Sequence, residues 1–360
     1  MGAAEQYLVQ PDFLTEVVTE IFIKAGVEGR DAAVVAESMV EANLRGTDSH
    51  GVLRVENYVK RIQQGGTKAR TEFAIINETP TTVAADAQHG LGAVAADRLG
   101  ALVREKALQH NLGFGVVRRS NHYGAAALWA LKAAGDDMIG FSCSNVEPIM
   151  SAIGGKTAAI GNNPFALAIP AGRHHAICLD MATSVAAWGK VVEYRHLQKP
   201  LPEGWAVDAD GEKTTDPFKA SLLEAFGGHK GFGLAVGVEV LSSLLAGGAF
   251  LDMVGTMYKD ITKPNDLSHC CAAIRISAFR DPAAFRADVD DLIDRIKRGA
   301  RKEGTAEIFY PGEIEARKKA VNLEKGLKLP ASVAEELAGF AREHGLDARL
   351  TAGLTATPAN

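Results

Sequence analysis

Ile139-Gly-Phe-Ser-Cys143, Phe165-Ala-Leu-Ala-Ile169 and Ala176-Ile-Cys-Leu-Asp-Met-Ala-Thr-Ser184 decide how this chain folds. Each begins as a short apolar run with the length and composition of a strand, and Gly172-Arg-His-His175 supplies a turn between the last two. Upstream, residues 81–86 and 113–118 carry further strand-like runs, with a helix from Ala93 to Gln109 between them. Downstream come helical stretches around 184–197 and 230–246, then a strand around 271–277. Residues 11–64 read as three helices, broken at Gly26-Val-Glu-Gly29 and between Arg45 and Ser49. A strongly amphipathic helix covers 283–299, and two more helical segments run to about 345. The last ten residues read as a frayed tail. The pattern predicts a mixed α/β fold with helical N- and C-terminal segments and no regular βαβ alternation.

With 360 residues, 47% of them hydrophobic, the chain can bury a large core and form two lobes. A net charge of −5 of mixed sign leaves no electrostatic footprint for nucleic acid. Cys143, Cys178, Cys270 and Cys271 lack metal or disulfide spacing, so reduced, buried thiols in a cytoplasmic protein are expected. The N-terminus has no charged-then-apolar secretory pattern. The most apolar window, Gly231 to Phe250, contains Glu239. A charge there is costly in a membrane, which favours a buried helix of a water-soluble protein and excludes a membrane partner.

The stretch with the most chemistry is Arg45-Gly-Thr-Asp-Ser-His-Gly-Val-Leu-Arg54. A helix is expected from His50 to Ile62, capped by Asp48 or Ser49, with Val52, Val55, Val59 and Ile62 as its apolar stripe. His50, Arg54 and Tyr58 would then project together from the opposite face. A proton donor, a carboxylate-binding fork and a phenol suit a small acid whose carbonyl gains or loses a proton. The same three residues are also ordinary members of a solvated face. Ser120-Asn-His122-Tyr-Gly124 places a second histidine between a strand and a helix, where it faces a cleft. His174 and His175 fall in a turn and are expected to be exposed. A zinc site from His50, His122 and a carboxylate lacks ligand spacing, so no metal is expected.

No Gly-x-Gly-x-x-Gly follows a strand, and there is no Walker lysine motif. A phosphate can still sit wherever a helix start offers free N–H groups. Leu179 to Ser184 meets that need: Thr183 or Ser184 could cap a helix, and Asp180 could accept from a ribose hydroxyl or fix a histidine. A plain helix cap explains the same residues equally well. Gly228-His-Lys-Gly-Phe-Gly233 delivers Lys230 just before a helix, for an anion or simply for solvent. Gly161-Asn-Asn-Pro164 is a turn with two amides, and turn duty alone would account for it.

These motifs occur in one order along the chain. Trp188-Gly-Lys190, Gly204-Trp-Ala-Val-Asp208, Thr215-Asp-Pro217, His229-Lys-Gly-Phe-Gly233 and Tyr310-Pro-Gly-Glu313 follow the stretches already quoted. Together, over roughly residues 12 to 325, they resemble the malate/L-lactate dehydrogenase-like oxidoreductases. That family includes ureidoglycolate and sulfolactate dehydrogenases, diketogulonate reductase and piperideine-2-carboxylate reductase. The resemblance implies a non-Rossmann fold, NAD or NADP as cofactor, and a homodimer with its site near the subunit interface. It implies a mainly helical domain, residues 1–75 together with 280–350, on the substrate side and carrying dimer contacts. The α/β region would be 76–279, with the NAD(P)-binding part at about 125–279. His50 and His122 fall on the family's functional histidines, and Arg54, with Tyr58 beside it, on the substrate-carboxylate position. Asp180, Met181, Ala182, Lys230 and Gly312 fall on cofactor-contacting segments, and Asn162, Thr183 and His229 are taken with them.

Two stretches depart from the family pattern. Asn145-Val-Glu147 stands where small polar residues are expected beside nicotinamide or substrate, and His229 where proline or tyrosine is more usual. The implied reaction is hydride transfer to or from the α-carbon of a small 2-oxo or 2-hydroxy acid, with His50 favoured as proton donor because it shares a helix face with Arg54. Reduction of a cyclic imine carboxylate and oxidation of ureidoglycolate are the alternatives within the class. A non-catalytic ligand-binding relative is the alternative outside it.

Overall fold

The computed structural model describes residues 6–135, 137–355 and 357. Strand β1 (Gln6–Val9) pairs antiparallel with a strand at Leu327–Pro330, which joins the two ends of the chain. Strands that are apolar or small at nearly every position must be covered on both faces. Such runs form the centre of a seven-stranded sheet made of β2 (Ala74–Glu78, an edge strand exposed at every position), β3 (Thr82–Asp86), β4 (Leu112–Ser120), β5 (Met138–Ser144), β6 (Phe165–Ile169), β7 (Ile177–Met181) and β8 (Leu267–Arg275). Their order is β2-β3-β4-β8-β5-β6-β7, and only β3 and β4 run parallel. That one parallel pair needs a crossover, and the helix at residues 92–110 provides it.

The helices are α1 (Pro11–Lys24), α2 (Gly29–Leu44), α3 (Val55–Gln63), α4 (Gly92–His110), α5 (Ala126–Ala134), α6 (Trp188–His196), α7 (His229–Glu239), α8 (Pro282–Lys297), α9 (Glu313–Lys325), α10 (Ala331–Glu343) and α11 (Ala348–Gly353). One large apolar core joins α1 to α5 and α10 to one face of the sheet, through Leu14, Phe22, Val35, Leu99, Trp129 and Leu337 among others. On the other face, Val238 and Ala246 lie against Val116, Cys143 and Cys270 of the central strands. Five short strands form a second sheet, around Met150–Ser151 and Leu222–Leu223, with its own core including Val191 of α6 and Ala235 of α7. All four cysteines are buried free thiols.

Four expectations change. The helix from His50 does not form as one piece: Asp48–His50 and Val52–Arg54 are short 3₁₀ turns, and α3 begins at Val55. Between the turns Gly51 is extended, and a Cβ there would stand 2.2 Å from Asn43 Oδ1. The buried Asn43 amide causes the break, since it accepts the Val52 N–H (2.9 Å) and donates to Asp48 (2.7 Å). Asp48 is thereby committed to Asn43, and neither it nor Ser49 caps a helix.

Helix α6 starts at Trp188, not at 184, because Ser184 bridges to Ala225 and Val185 N–H bonds to Glu224. Thr183 and Ser184 therefore cap nothing. The window 231–250 is helical to Leu244 but only half-covered: Leu234, Leu241, Leu244 and Leu245 are 38–56% exposed. Among the described residues no helix is long and apolar enough to cross a membrane. The tail is not frayed as far as it is described, since Leu350 and Leu354 are buried in the main core; Ala356 and residues 358–360 lie outside the described residues.

Candidate active site

The 3₁₀ turns after α2 and the segment between β4 and α5 bring His50 and His122 face to face. Their rings stack at 5.4 Å between centroids, 25° from parallel. Tyr58 does not lie beside Arg54 toward solvent. It turns inward, buried, and its hydroxyl meets His122 Nδ1 at 2.5 Å. The Gly124 N–H also points at Nδ1, at 3.4 Å. An amide N–H can only donate, so Nδ1 is the acceptor nitrogen and the ring hydrogen of neutral His122 sits on Nε2. Burial, then the neighbouring His50, Arg54 and His269, hold His122 well below the usual imidazole range. Burial and Arg54 push His50 down to about 4. Tyr58 is pushed above the ordinary phenol range by burial.

Arg54 is anchored by Nε to the Ser49 carbonyl at 2.7 Å, and its guanidinium lies 5.5 Å from the Tyr258 ring centroid. That leaves both terminal nitrogens of its fork for a carboxylate. His50 Nδ1 meets Ser49 Oγ at 2.9 Å. A neutral imidazole N–H, a stacked second imidazole and a free guanidinium edge can bind a 2-oxo acid at carboxylate and carbonyl together.

A third histidine was not singled out by sequence reasoning. His269, on β8, is fully buried and stacks on Tyr123 at 4.3 Å and 6°. Its Nδ1 meets Ser144 Oγ at 2.9 Å; its Nε2 meets Ser120 Oγ at 2.8 Å and the Asn121 carbonyl at 3.1 Å. It thus clamps the backbone immediately before His122, and burial pushes it down to about 3. A histidine inside the otherwise apolar or small run Leu267-Ser-His-Cys-Cys271 was the available signal. Asn121 is held in turn by the His89 and Gly90 carbonyls (2.9 Å each).

The expected cofactor residues line the far end of the sheet. Asp180, at the end of edge strand β7, accepts the Ala127 N–H at the start of α5 (3.2 Å). Solvent reaches Asp180, yet the protein around it raises its carboxyl to about 6, mainly by burial. Met181 and Ala182 continue that edge, half-buried. Thr183 N–H bonds to the Asn162 carbonyl (2.9 Å), and the Thr183 carbonyl takes the Phe226 N–H (3.0 Å). That brings Asn162, Thr183 and the glycine turn before α7 together. His229 and Lys230, both exposed, begin α7 after Gly228 at φ +62°. Gly312, at φ +85°, caps α9, and a Cβ on it would stand 2.8–2.9 Å from Cys178, two residues before Asp180.

The donor set fits a nicotinamide dinucleotide. The Thr183 hydroxyl is buried without a protein partner, while Lys230 and the α7 start suit a phosphate and Asp180 suits a ribose hydroxyl. Ala127, which bonds to Asp180, lies only five residues after His122, so the segment entering α5 links this strip to the histidine pair.

Asn145 packs against the neighbouring turn, where Val146 N–H bonds to Asn163 Oδ1 (3.1 Å). It is fully buried, accepting Ser268 N–H (2.8 Å) and donating to the Ala249 carbonyl (3.0 Å) and to Glu239 (3.3 Å). Glu239 also receives Asn163 Nδ2 (2.6 Å) and Leu251 N–H (3.1 Å). The charged residue in the most apolar window is thus the hub that fixes α7 to the sheet.

The fold and motifs have counterparts. The family profile described as malate/L-lactate dehydrogenase matches residues 9–338. L-sulfolactate dehydrogenase of Methanocaldococcus jannaschii is 36% identical over 94% of this chain and 98% of its own. Ureidoglycolate dehydrogenase of Escherichia coli K12 is 34% identical over 87% and 90%. The crystal structure of malate dehydrogenase from Entamoeba histolytica superposes with a TM-score of 0.90 at 28% identity, covering 95% of this chain and 99% of that one. With its non-Rossmann α/β sheet and paired histidines, this chain belongs to the malate/L-lactate dehydrogenase family of oxidoreductases.

Proposed function

We propose that this protein interconverts a small 2-oxo acid and its 2-hydroxy acid, of the malate, lactate or sulfolactate type, with NAD or NADP. The observation that carries the reading is the arrangement around His122. Two donors on Nδ1 leave an N–H on Nε2 of a ring whose titration feels the Arg54 charge. Arg54 grips the carboxylate, which sets the adjacent carbonyl at His122. The bound nicotinamide supplies or accepts the hydride. As the carbonyl oxygen gains charge, Nε2 delivers its proton; Nδ1 takes the one that Tyr58 already aims at it. The phenolate so formed faces the Arg54 and Arg61 charges. The argument for His50 as donor rested on a shared helix face, and Gly51 breaks that helix. His50 stacks against His122 instead, and pairing Arg54 with a carboxylate removes part of what holds His50 neutral.

The leucine face of α7 and the turn after it, Leu234, Leu241, Leu244 and Leu245, supports a homodimer built on that face. Leu241→Glu together with Leu245→Glu converts a dimer to a monomer in light scattering; an unchanged mass in solution would rule this face out. The functional test follows NADH and NADPH absorbance against pyruvate, oxaloacetate, sulfopyruvate and piperideine-2-carboxylate, with ureidoglycolate in the oxidative direction. Turnover of a linear 2-oxo acid supports the proposal. Turnover of the imine or of ureidoglycolate alone replaces the substrate class, and no binding of either cofactor by folded protein overturns the enzyme reading.

A further inference from the structure

Behind the Tyr58–His122 pair lies a cavity of about 10 Å³, bordered by Tyr58, Arg61, Thr67, Asn121, His122 and Asn265. Arg61 and Asn265 are each only 2% exposed. The Arg61 guanidinium donates to the Thr256, Met257, Gly66 and Lys263 carbonyls through its terminal nitrogens, leaving Nε–H without a protein partner. Asn265 donates Nδ2 to the Gly255 carbonyl (3.3 Å) and its backbone N–H to Asn121 Oδ1 (3.1 Å), leaving Oδ1 without one. One buried donor and one buried acceptor on the same small cavity are costly unless something satisfies both. The space matches a single water, which needs two to four polar partners.

We propose that one structural water sits here, accepting from Arg61 Nε, donating to Asn265 Oδ1, and donating its second hydrogen to the Tyr58 oxygen. Arg61, three residues after Tyr58 on α3, and Asn265, on the loop leading to β8, thereby act as positioning residues. The water occupies the Tyr58 lone pair that faces the cavity and turns the phenolic hydrogen toward His122, where Nδ1 at 2.5 Å is nearer than the His122 carbonyl at 3.3 Å. The hydrogen on His122 Nε2 follows from that direction. The water's donated hydrogen bond holds the phenolate oxygen while Tyr58 is deprotonated; the resting state returns when His122 Nε2 takes a proton from solvent and Nδ1 gives its own back to Tyr58, so charge and atoms balance. This role rests on the assignment of His122 as proton donor; the water site itself does not.

The test pairs a high-resolution crystal structure of the full chain, without substrate, with the kinetics of Asn265→Leu, Asn265→Asp and Tyr58→Phe. The expected result is ordered density within hydrogen-bond distance of Arg61 Nε and Asn265 Oδ1. Asn265→Leu should lower kcat at least about tenfold with KM little changed. Asn265→Asp, which keeps an acceptor at the cavity, should recover most of that loss. In a Tyr58→Phe background Asn265→Leu should add nothing, because the water acts only through the hydroxyl. A dry cavity, or an additive loss in the Tyr58→Phe background, would overturn the proposal. If ordered density is present but no 2-oxo acid is turned over, the water site stands and the 2-oxo acid assignment fails.

Discussion

His122 and His269 lie in adjoining regions of the molecule, one where the strands end and one inside the sheet. Both are kept neutral by burial, and both rings pack against aromatic neighbours. They differ in what is left over. His269 has both ring nitrogens committed to Ser144, Ser120 and the Asn121 carbonyl. His122 has Nδ1 committed twice and Nε2 with no protein partner among the described residues. A buried histidine with every nitrogen satisfied is a structural clamp; one with a single oriented N–H remaining has that group to give to a ligand.

The largest effect that would test this contrast is on turnover. His122→Asn should lower kcat/KM by about 100- to 10,000-fold with little change in melting temperature. An equal loss from His269→Asn, with stability intact, would break the distinction. Arg54→Lys should come next, raising KM for the carboxylate substrate by about tenfold or more, since a single ammonium cannot replace the planar fork. His269→Leu should mainly cost stability, about 2–4 kcal/mol by chemical denaturation, because it removes three buried hydrogen bonds, with Ser144 Oγ, Ser120 Oγ and the Asn121 carbonyl.

The titration of the two regions sharpens the comparison further. His269 at about 3 and His50 at about 4 both stand below the ordinary 6.5. The unfolded chain therefore binds protons that the native state refuses as the pH falls below about 6.5. Stability is full above that pH and is lost progressively toward pH 3–4. The melting temperature should fall between pH 7 and 5, and less steeply in His269→Leu than in the parent; an identical slope would mean that His269 is not the group responsible. Asp180 runs the other way. Its carboxyl is raised to about 6, so cofactor held by the charged form should bind at most about tenfold more weakly at pH 5 than at pH 7. In Asp180→Asn that pH dependence should vanish, as read by NAD(P)H fluorescence.

Much of the site was readable one segment at a time. His50, Arg54 and His122 announce themselves because polar, ionisable residues interrupt apolar periodicity next to glycine turns. Asp180 and Lys230 mark strand and helix ends, where free backbone groups collect. His269 was hidden because its partners are 125 and 149 residues away and its own segment reads as a plain buried strand. Glu239 was legible only as an argument against a membrane span, since Asn145 and Asn163, which satisfy it, are some 76–94 residues distant. The Gly51 break was missed because its cause is a tertiary contact from the preceding helix, nine residues away. Local periodicity favours a continuous helix, and a single amide from α2 outweighs it.

By itself, then, the amino-acid order determined the alternation of strands and helices, the family, and which ionisable residues stand at chain breaks, because those follow from side-chain period and backbone capping within a few residues. The tertiary structure alone decided which nitrogen of His122 carries its hydrogen, which histidine is a clamp, and that Tyr58 faces inward. Those outcomes depend on hydrogen-bond partners and burial contributed by segments far apart in the chain, and no local pattern encodes the direction of a proton.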